Sequence, residues 1–329
     1  MPETRKLNIA NTIFFTTLPI IALVSSYYWL KSGSYNLNTV ILACVMYVFA
    51  QLSITAGYHR CFSHRAYDTH PLVRLFFLCF GAAAFQGTAL KWSQDHRRHH
   101  RFVDDVEKDP YSIKKGFMWA HIIWLFYAED KSYKADEIRD LLDDKLVMFQ
   151  HEHILKCSFF FAFIFPMIIG AFWGDVFGAL AIAGALRLTF NHHSTFFINS
   201  LAHTLGDQKF SNKHSSRDNF ITAVLTFGEG YHNFHHEFPS DYRNGIRFFD
   251  FDPTKWLIYT LSKLNLASNL KTVDRELIMK KMAQMAVINF QSHCDTFKFI
   301  SLSKDHMNKV CSHLKSNLET DYQDLCVYV

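Results

Sequence analysis

The sequence predicts an all-α integral membrane protein with four transmembrane helices and a helical cap on the cytoplasmic side. Three observations support this fold class. Aromatic residues make up 16% of the 329 residues, whereas charged residues make up only 19%. The charged residues are unevenly spread and leave long uncharged runs, a composition typical of a membrane protein or an unusually apolar core. The 19 histidines are partly clustered, and the clusters lie just after or between these runs.

Four runs with at most one charged residue are long enough to cross roughly 30 Å of hydrocarbon at about 1.5 Å of rise per residue. Polar residues separate the first two runs, which predicts a tight helical hairpin, and Asp175 alone separates the last two. Arg187 lies inside the fourth run, where an arginine is expected to face protein or water rather than lipid. The predicted spans cover about residues 7–30, 38–58, 157–174 and 176–200.

Four spans place both termini and every histidine cluster on one side of the membrane. The opposite side receives two short loops, with Lys31 and Asp175 as their main charges. The tendency of basic residues to remain inside makes the cluster side cytoplasmic. We therefore assign residues 1–269 to a membrane domain whose cap comprises 59–150 and 201–269. Residues 270–329 are assigned to a soluble C-terminal segment of unknown role.

The histidine clusters have the spacing of metal ligands. In the third cluster His232 shares a helix face with His235 and His236, because residues three and four positions apart are neighbours on a helix. The second cluster repeats this spacing, a looser pair precedes it, and one more histidine follows the fourth span. The nine histidines in these positions are His59, His64, His96, His99, His100, His203, His232, His235 and His236.

Nine imidazoles exceed what one metal ion can bind, so the sequence predicts two metals in the cap. Imidazole suits iron, zinc or copper, whereas calcium and magnesium prefer oxygen ligands. The seven cysteines form no C-x-x-C pair, which argues against a disulfide framework or a zinc knuckle. The net charge of +4 and the scattered basic residues exclude nucleic acid as a partner class.

A histidine-rich dimetal site beside a membrane favours oxygen activation on a lipid-like substrate. An unreactive methylene group needs a strong oxidant, which iron with dioxygen supplies and acid–base side chains do not. A membrane protein that binds or transports zinc is the non-enzymatic alternative. It is disfavoured because a transport path requires polar residues within the spans, whereas these histidines cluster at one membrane face.

The histidine clusters also resemble a known pattern. The segment from His59 to His64, the segment from His96 to His100 and the segment from His232 to His236 resemble the three histidine boxes of membrane fatty acyl desaturases. Their order, their spacing and the four-span hydropathy agree with that family over roughly residues 10–265. The flanking residues 226–231 and 238–244 are similar to those of acyl-CoA delta-9 desaturases of the stearoyl-CoA desaturase type, in the fungal and bacterial branch.

The resemblance implies an aerobic di-iron enzyme that introduces a cis double bond, at delta-9, into a saturated long-chain acyl-CoA. Acyl-carrier protein and intact lipid are the less favoured substrate carriers. By the family's ligand pattern, one iron is held by His59, His64, His96, His100 and His236. The other is held by His99, His203, His232 and His235, with Asn199 acting through a water. Gln86, Trp92 and Thr195 match residues that shape a bent acyl tunnel.

The resemblance further implies an external electron donor. The sequence has no His-Pro-Gly-Gly heme motif, so a separate protein such as cytochrome b5, or a ferredoxin with its reductase, is expected to supply electrons. The membrane is the endoplasmic reticulum in a eukaryote and the inner membrane in a bacterium. A related histidine-box hydroxylase or monooxygenase acting on a lipid chain is the alternative, and the mass of the product separates the two.

Overall fold

The computed structural model describes residues 6–33, 35–127, 135–297, 309 and 312. Within these residues the chain is mostly helical, as predicted. The extended structure there consists of one two-residue antiparallel pair, β1 (Asp68–Thr69) with β2 (Ala267–Ser268), and a few isolated bridges. This short pair joins the start of the cap to its end, because the two strands are about 200 residues apart in the chain.

Fourteen α-helical segments are found in the described residues. Three of them continue as π-helix, which leaves longer unbroken helices at Leu37–Ser63 and Lys145–Ala171 and from Val176 onward. In chain order they are α1 Ile9–Lys31, α2 Leu37–Leu52, α3 Pro71–Ala82, α4 Ala89–Phe102, α5 Phe117–His121, α6 Ala135–Leu142, α7 Lys145–Phe159, α8 Phe165–Ala171, α9 Val176–Gly178, α10 Arg187–Ser200, α11 Phe220–Leu225, α12 His232–Glu237, α13 Pro253–Lys263 and α14 Arg275–Phe297.

Three helices in the described part are long and apolar enough to cross a membrane, namely Ile9–Lys31, Leu37–Ser63 and Lys145–Ala171. They correspond to the first three predicted spans, but the second continues further and the third begins earlier than predicted. The additional turns include buried polar side chains such as His59, Arg60 and Gln150, which lie within the cap. The predicted fourth span is helical throughout, yet its second half contains Asn191 and two histidines. It is not among the three, and a fourth crossing stays a prediction.

Polar contacts connect the membrane helices. At the end opposite the histidines, the buried Asp175 carboxylate accepts hydrogen bonds from Trp29 Nε1 at 3.0 Å and from Thr39 Oγ1 at 2.6 Å. It thereby ties α1 and α2 to the start of α9. Arg187 is also buried, and it donates to the carbonyl oxygens of Ala83 and Ala162. Arg187 therefore faces protein, as the sequence predicted.

The core of the cap lies between the π-helical end of α2 and helices α3, α4, α6, α7 and α13. Tyr58 packs so closely on α3 that a Cβ added at Gly81 would collide with its ring. The beginning of α14 covers the back of α12: Ile278 is buried against Phe210 and Phe234, and Lys281 Nζ lies 2.7 Å from the Glu237 carboxylate. The cap thus surrounds the third histidine cluster from both sides.

Candidate metal centre

Four helical segments bring all nine predicted histidines into one buried region. The first pair lies at the end of the π-helix Ser53–Ser63, the second cluster on α4, His203 in the helical turn after α10, and the third cluster on α12. The π-helix explains the wider spacing of the first pair. The amide of His64 donates to the carbonyl of His59, five residues earlier, and this winding brings the two rings to 4.8 Å.

The first histidine set consists of His59, His64, His96, His100 and His235, whose ligand atoms all lie within 4.8 Å of one another. His235 is at its centre. The Nε2 atom of His235 lies 2.9 Å from Nε2 of His59 and 2.9 Å from Nε2 of His100. His64 and His96 are also 2.9 Å apart at Nε2. The set therefore combines side chains from the π-helix, α4 and α12.

The second histidine set consists of His99, His203, His232 and His236. The Nε2 atoms of His203 and His236 each lie 3.0 Å from Nε2 of His232, and His99 is 3.3 Å from His236. This set joins α4 and α12 to the turn after α10.

The predicted division of the ligands was wrong for two residues. His235 was assigned to the group of His232 and His236 to the group of His59, and the structure places them the other way round. On α12 the rings of His232 and His236 are 4.4 Å apart, whereas those of His232 and His235 are 5.9 Å apart. His232 and His236, which are four residues apart on the helix, therefore belong to the same set. His235 faces the first set instead.

The geometry of both sets fits a bound transition metal. Two nitrogens bound at about 2.1 Å to one ion and at right angles to each other are about 3.0 Å apart. The contacts between Nε2 atoms of 2.9–3.3 Å match that separation. The two sets also adjoin each other, because the rings of His100 and His236 stack at 4.3 Å. Two ions held in these sets would be close neighbours.

The Nδ1 atoms of three ligands are held by groups behind them. His59 Nδ1 lies 2.7 Å from Oε2 of Glu229, and His99 Nδ1 lies 2.9 Å from Oδ1 of Asp109. His203 Nδ1 contacts Ser215 Oγ at 2.7 Å. Such partners fix the tautomer and orientation of an imidazole, so that its Nε2 faces the metal with a free lone pair.

Sequence reasoning missed the charged network behind the first set. Arg60 is fully buried and donates to Glu229 at 3.0 and 3.1 Å and to Asp252 at 3.0 and 3.1 Å. Glu229 in turn accepts from Asn244 Nδ2 at 2.7 Å. Burial alone would raise the pKa of Glu229, but His59 and Arg60 outweigh burial and hold this pKa below its usual range. The only sequence signals were the charges that adjoin His59 and precede the third cluster.

Burial favours the neutral form of seven of these histidines. It lowers their pKa well below 6.5, and neighbouring imidazoles, joined by arginines at His64, lower it further. The neutral imidazoles that result can bind a metal without first losing a proton. These histidines are His64, His96, His100, His203, His232, His235 and His236.

The three predicted substrate residues are close together beside the first set. Gln86 Nε2 donates to Thr195 Oγ1 at 2.9 Å, and Trp92 Nε1 donates to Gln86 Oε1 at 3.3 Å. The Trp92 ring stacks on His96 with centroids 4.9 Å apart. Asn199 lies on α10, four residues before His203, and is half-buried. The substrate roles and the ligand role of Asn199 stay predictions.

Comparison with known proteins agrees with this site. Residues 37–262 match the family described as fatty acid desaturase. The chain belongs to that family. It is 45% identical over 282 residues to a Schizosaccharomyces pombe protein named a probable acyl-CoA desaturase, and 42% identical over 282 residues to acyl-CoA desaturase 1 of Saccharomyces cerevisiae. These matches cover 85% and 84% of the chain.

The chain covers only 58% and 54% of the lengths of these two fungal relatives. It is also 33% identical to a delta-9 fatty acid desaturase of Caenorhabditis elegans, with 83% of the chain and 82% of that protein covered. The predicted resemblance to the desaturase family is thus confirmed. All nine histidines lie within the matched residues 37–262.

Proposed function

We propose that the chain is an oxygen-dependent acyl-CoA desaturase that introduces a cis double bond at delta-9 into a saturated long-chain acyl group. The observation that carries this proposal is the pair of adjacent buried histidine sets, with Trp92 stacked on one ligand of the first set. The names of the fungal and nematode relatives support the reaction and the acyl-CoA substrate.

Each histidine set is proposed to hold one iron ion, and Asn199 is proposed to reach the second ion through a water. When bound, two irons with dioxygen supply the oxidising power that removal of hydrogen from a methylene requires. The protein contributes orientation: Glu229, Asp109 and Ser215 hold the Nδ1 atoms behind the ligands. The surrounding burial keeps bulk water away from the reacting groups.

The acyl chain is proposed to bend at Gln86, Trp92 and Thr195. These residues are already hydrogen-bonded to one another, so they form a preorganised wall instead of a set of mobile side chains. Because Trp92 contacts both Gln86 and His96, a methylene group at this wall would lie beside the first histidine set. The wall would therefore determine which carbons of the acyl chain lie next to the metal centre.

The reaction requires a protein that donates electrons. Reduction of dioxygen to two waters takes four electrons, of which desaturation of the substrate supplies two. We propose that cytochrome b5, or a ferredoxin with its reductase, delivers the other two at the cytoplasmic cap. In this arrangement the chain crosses the membrane four times, in the endoplasmic reticulum of a eukaryote or the inner membrane of a bacterium.

The test uses iron-loaded full-length chain in lipid nanodiscs with stearoyl-CoA, dioxygen and a reduced donor. The expected product is oleoyl-CoA, found by mass spectrometry as the loss of two hydrogens, with the double bond located at delta-9 by derivatisation. A product that has gained an oxygen would support the hydroxylase alternative instead. Stearate recovered intact from protein that retains its iron would contradict the proposal.

A further inference from the structure

A group of exposed apolar side chains lies in the cap away from the histidines. Phe248 and Phe249 are 79% and 89% exposed, and their rings contact each other edge to face at 5.1 Å. On α11, Phe220 and Ile221 are 67% and 64% exposed. Contiguous exposed apolar surface of this kind marks an interaction site on a folded protein.

The loop with Phe249 and helix α11 form one surface. Phe220 and Phe249 both line a cleft of about 450 Å³, together with Tyr231. The polar groups of this cleft include Asp218 and Asp250. Phe220 and Phe249 therefore lie at the rim of the same cleft. We call α11 with Phe248 and Phe249 the aromatic edge.

The aromatic edge is continuous with the surface of a membrane helix. Tyr47 of the candidate span Leu37–Ser63 donates to the carbonyl oxygen of Leu225, at the end of α11, at 2.8 Å. The same hydroxyl is 2.9 Å from Ser194 Oγ on α10. Near Tyr47, Val45 and Val48 are exposed on the outside of the span. Helix α11 therefore ends beside a part of the candidate span whose apolar side chains are exposed.

The charges around the aromatic edge indicate which lipid interaction to expect. Arg247 is exposed next to Phe248, but its guanidinium lies 3.0 Å from the Asp250 carboxylate. Lys209 at the cleft lies 3.3 Å from Asp207. Because these cations already have acidic partners, the contact should depend on apolar insertion more than on anionic headgroups.

We propose that the aromatic edge inserts into the cytoplasmic leaflet of the bilayer beside the spans and anchors the cap to lipid. The exposed Trp256 and Tyr259 on α13 agree with this position, because tryptophan and tyrosine are enriched at membrane interfaces. The proposal concerns placement of the cap and does not depend on the catalytic activity.

The test places a photoreactive phenylalanine analogue at Phe249, or at Phe220, in the full chain in phosphatidylcholine nanodiscs. Transfer of a phenylalanine side chain from water to an apolar environment is favoured by about tenfold or more. We therefore expect lipid adducts to form about tenfold more often than at exposed Glu107, which lies on a loop after α4, and as often as at Ile41 on the span. Added anionic lipid should change the yield little.

Two results would overturn the proposal. One is lipid labelling at Phe249 and Phe220 no higher than at Glu107, while Ile41 labels normally. The other is adducts between two chains in place of lipid adducts, which would assign the aromatic edge to a second copy of the protein. Because the analogue retains a phenyl ring at an exposed position, the labelled protein is expected to fold.

Discussion

Replacing Glu229 with glutamine tests whether the buried network positions the metal ligands. Glu229 accepts hydrogen bonds on both oxygens, from Arg60 on Oε1 and from Asn244 on Oε2, and its Oε2 also faces His59 Nδ1. A glutamine of the same shape must turn an N–H group toward one of these donors. An unsatisfied buried donor costs about 1–3 kcal/mol. The fold should survive, because Asp252 remains as the second partner of Arg60.

The larger effect of Glu229→Gln should fall on the metal. Loss of a partner that orients a ligand typically weakens metal binding about 10–100-fold. We expect Glu229→Gln to release iron from the first histidine set at correspondingly lower chelator concentration, with the iron measured by mass spectrometry. The matched control is Glu237→Gln, whose carboxylate pairs with Lys281. Equal iron retention by wild type and Glu229→Gln would refute the positioning role.

Three further predictions concern ligands, pH and packing. His235→Ala should weaken iron binding in the first histidine set, and His236→Ala should weaken it in the second. The electron paramagnetic resonance spectrum of the remaining ion should therefore differ between the two variants. Identical spectra would contradict the division of the histidines into these two sets. Burial raises the pKa of Asp218 to about 6 from an ordinary value of 3.8, so the stability of the native protein should fall as pH rises from about 4 through 6. Asp218 is partly exposed, so the effect should be about 1 kcal/mol, and Asp218→Asn should raise the thermal midpoint at pH 8 but not at pH 5. Gly81→Ala should cost about 1–3 kcal/mol of stability and so lower the thermal midpoint, because the added methyl group meets the Tyr58 ring. An unchanged midpoint would show that Tyr58 moves freely.

Local spacing predicted the histidines of the second and third clusters, because helical periodicity places residues three and four positions apart on one face. The same spacing did not determine which metal His235 or His236 serves. That choice depends on how α12 approaches the π-helix, and the contact between His59 and His235 joins residues 176 positions apart. The π-helical turn that aligns His59 with His64 has no composition that reveals it.

The charged network and the ends of the membrane helices were harder to predict from the sequence, for related reasons. Arg60 and Glu229 are separated by 169 residues, so their pairing depends on the tertiary fold. Hydropathy found the apolar runs but not the ends of the helices, because turns with polar residues, such as residues 59–63, continue a span inside the cap. Asp175 looked like a loop charge, yet three donors enclose it.

The central claim, that two adjacent metal ions are held by two histidine sets, is tested most directly by the iron content of the purified full-length chain. The measurement combines the iron-to-protein ratio with Mössbauer spectroscopy, which reports magnetic coupling between the ions. The two sets predict two irons per chain that are near enough to couple, because His100 and His236 stack across the boundary between the sets. One iron per chain, or two irons without any coupling, would contradict the account.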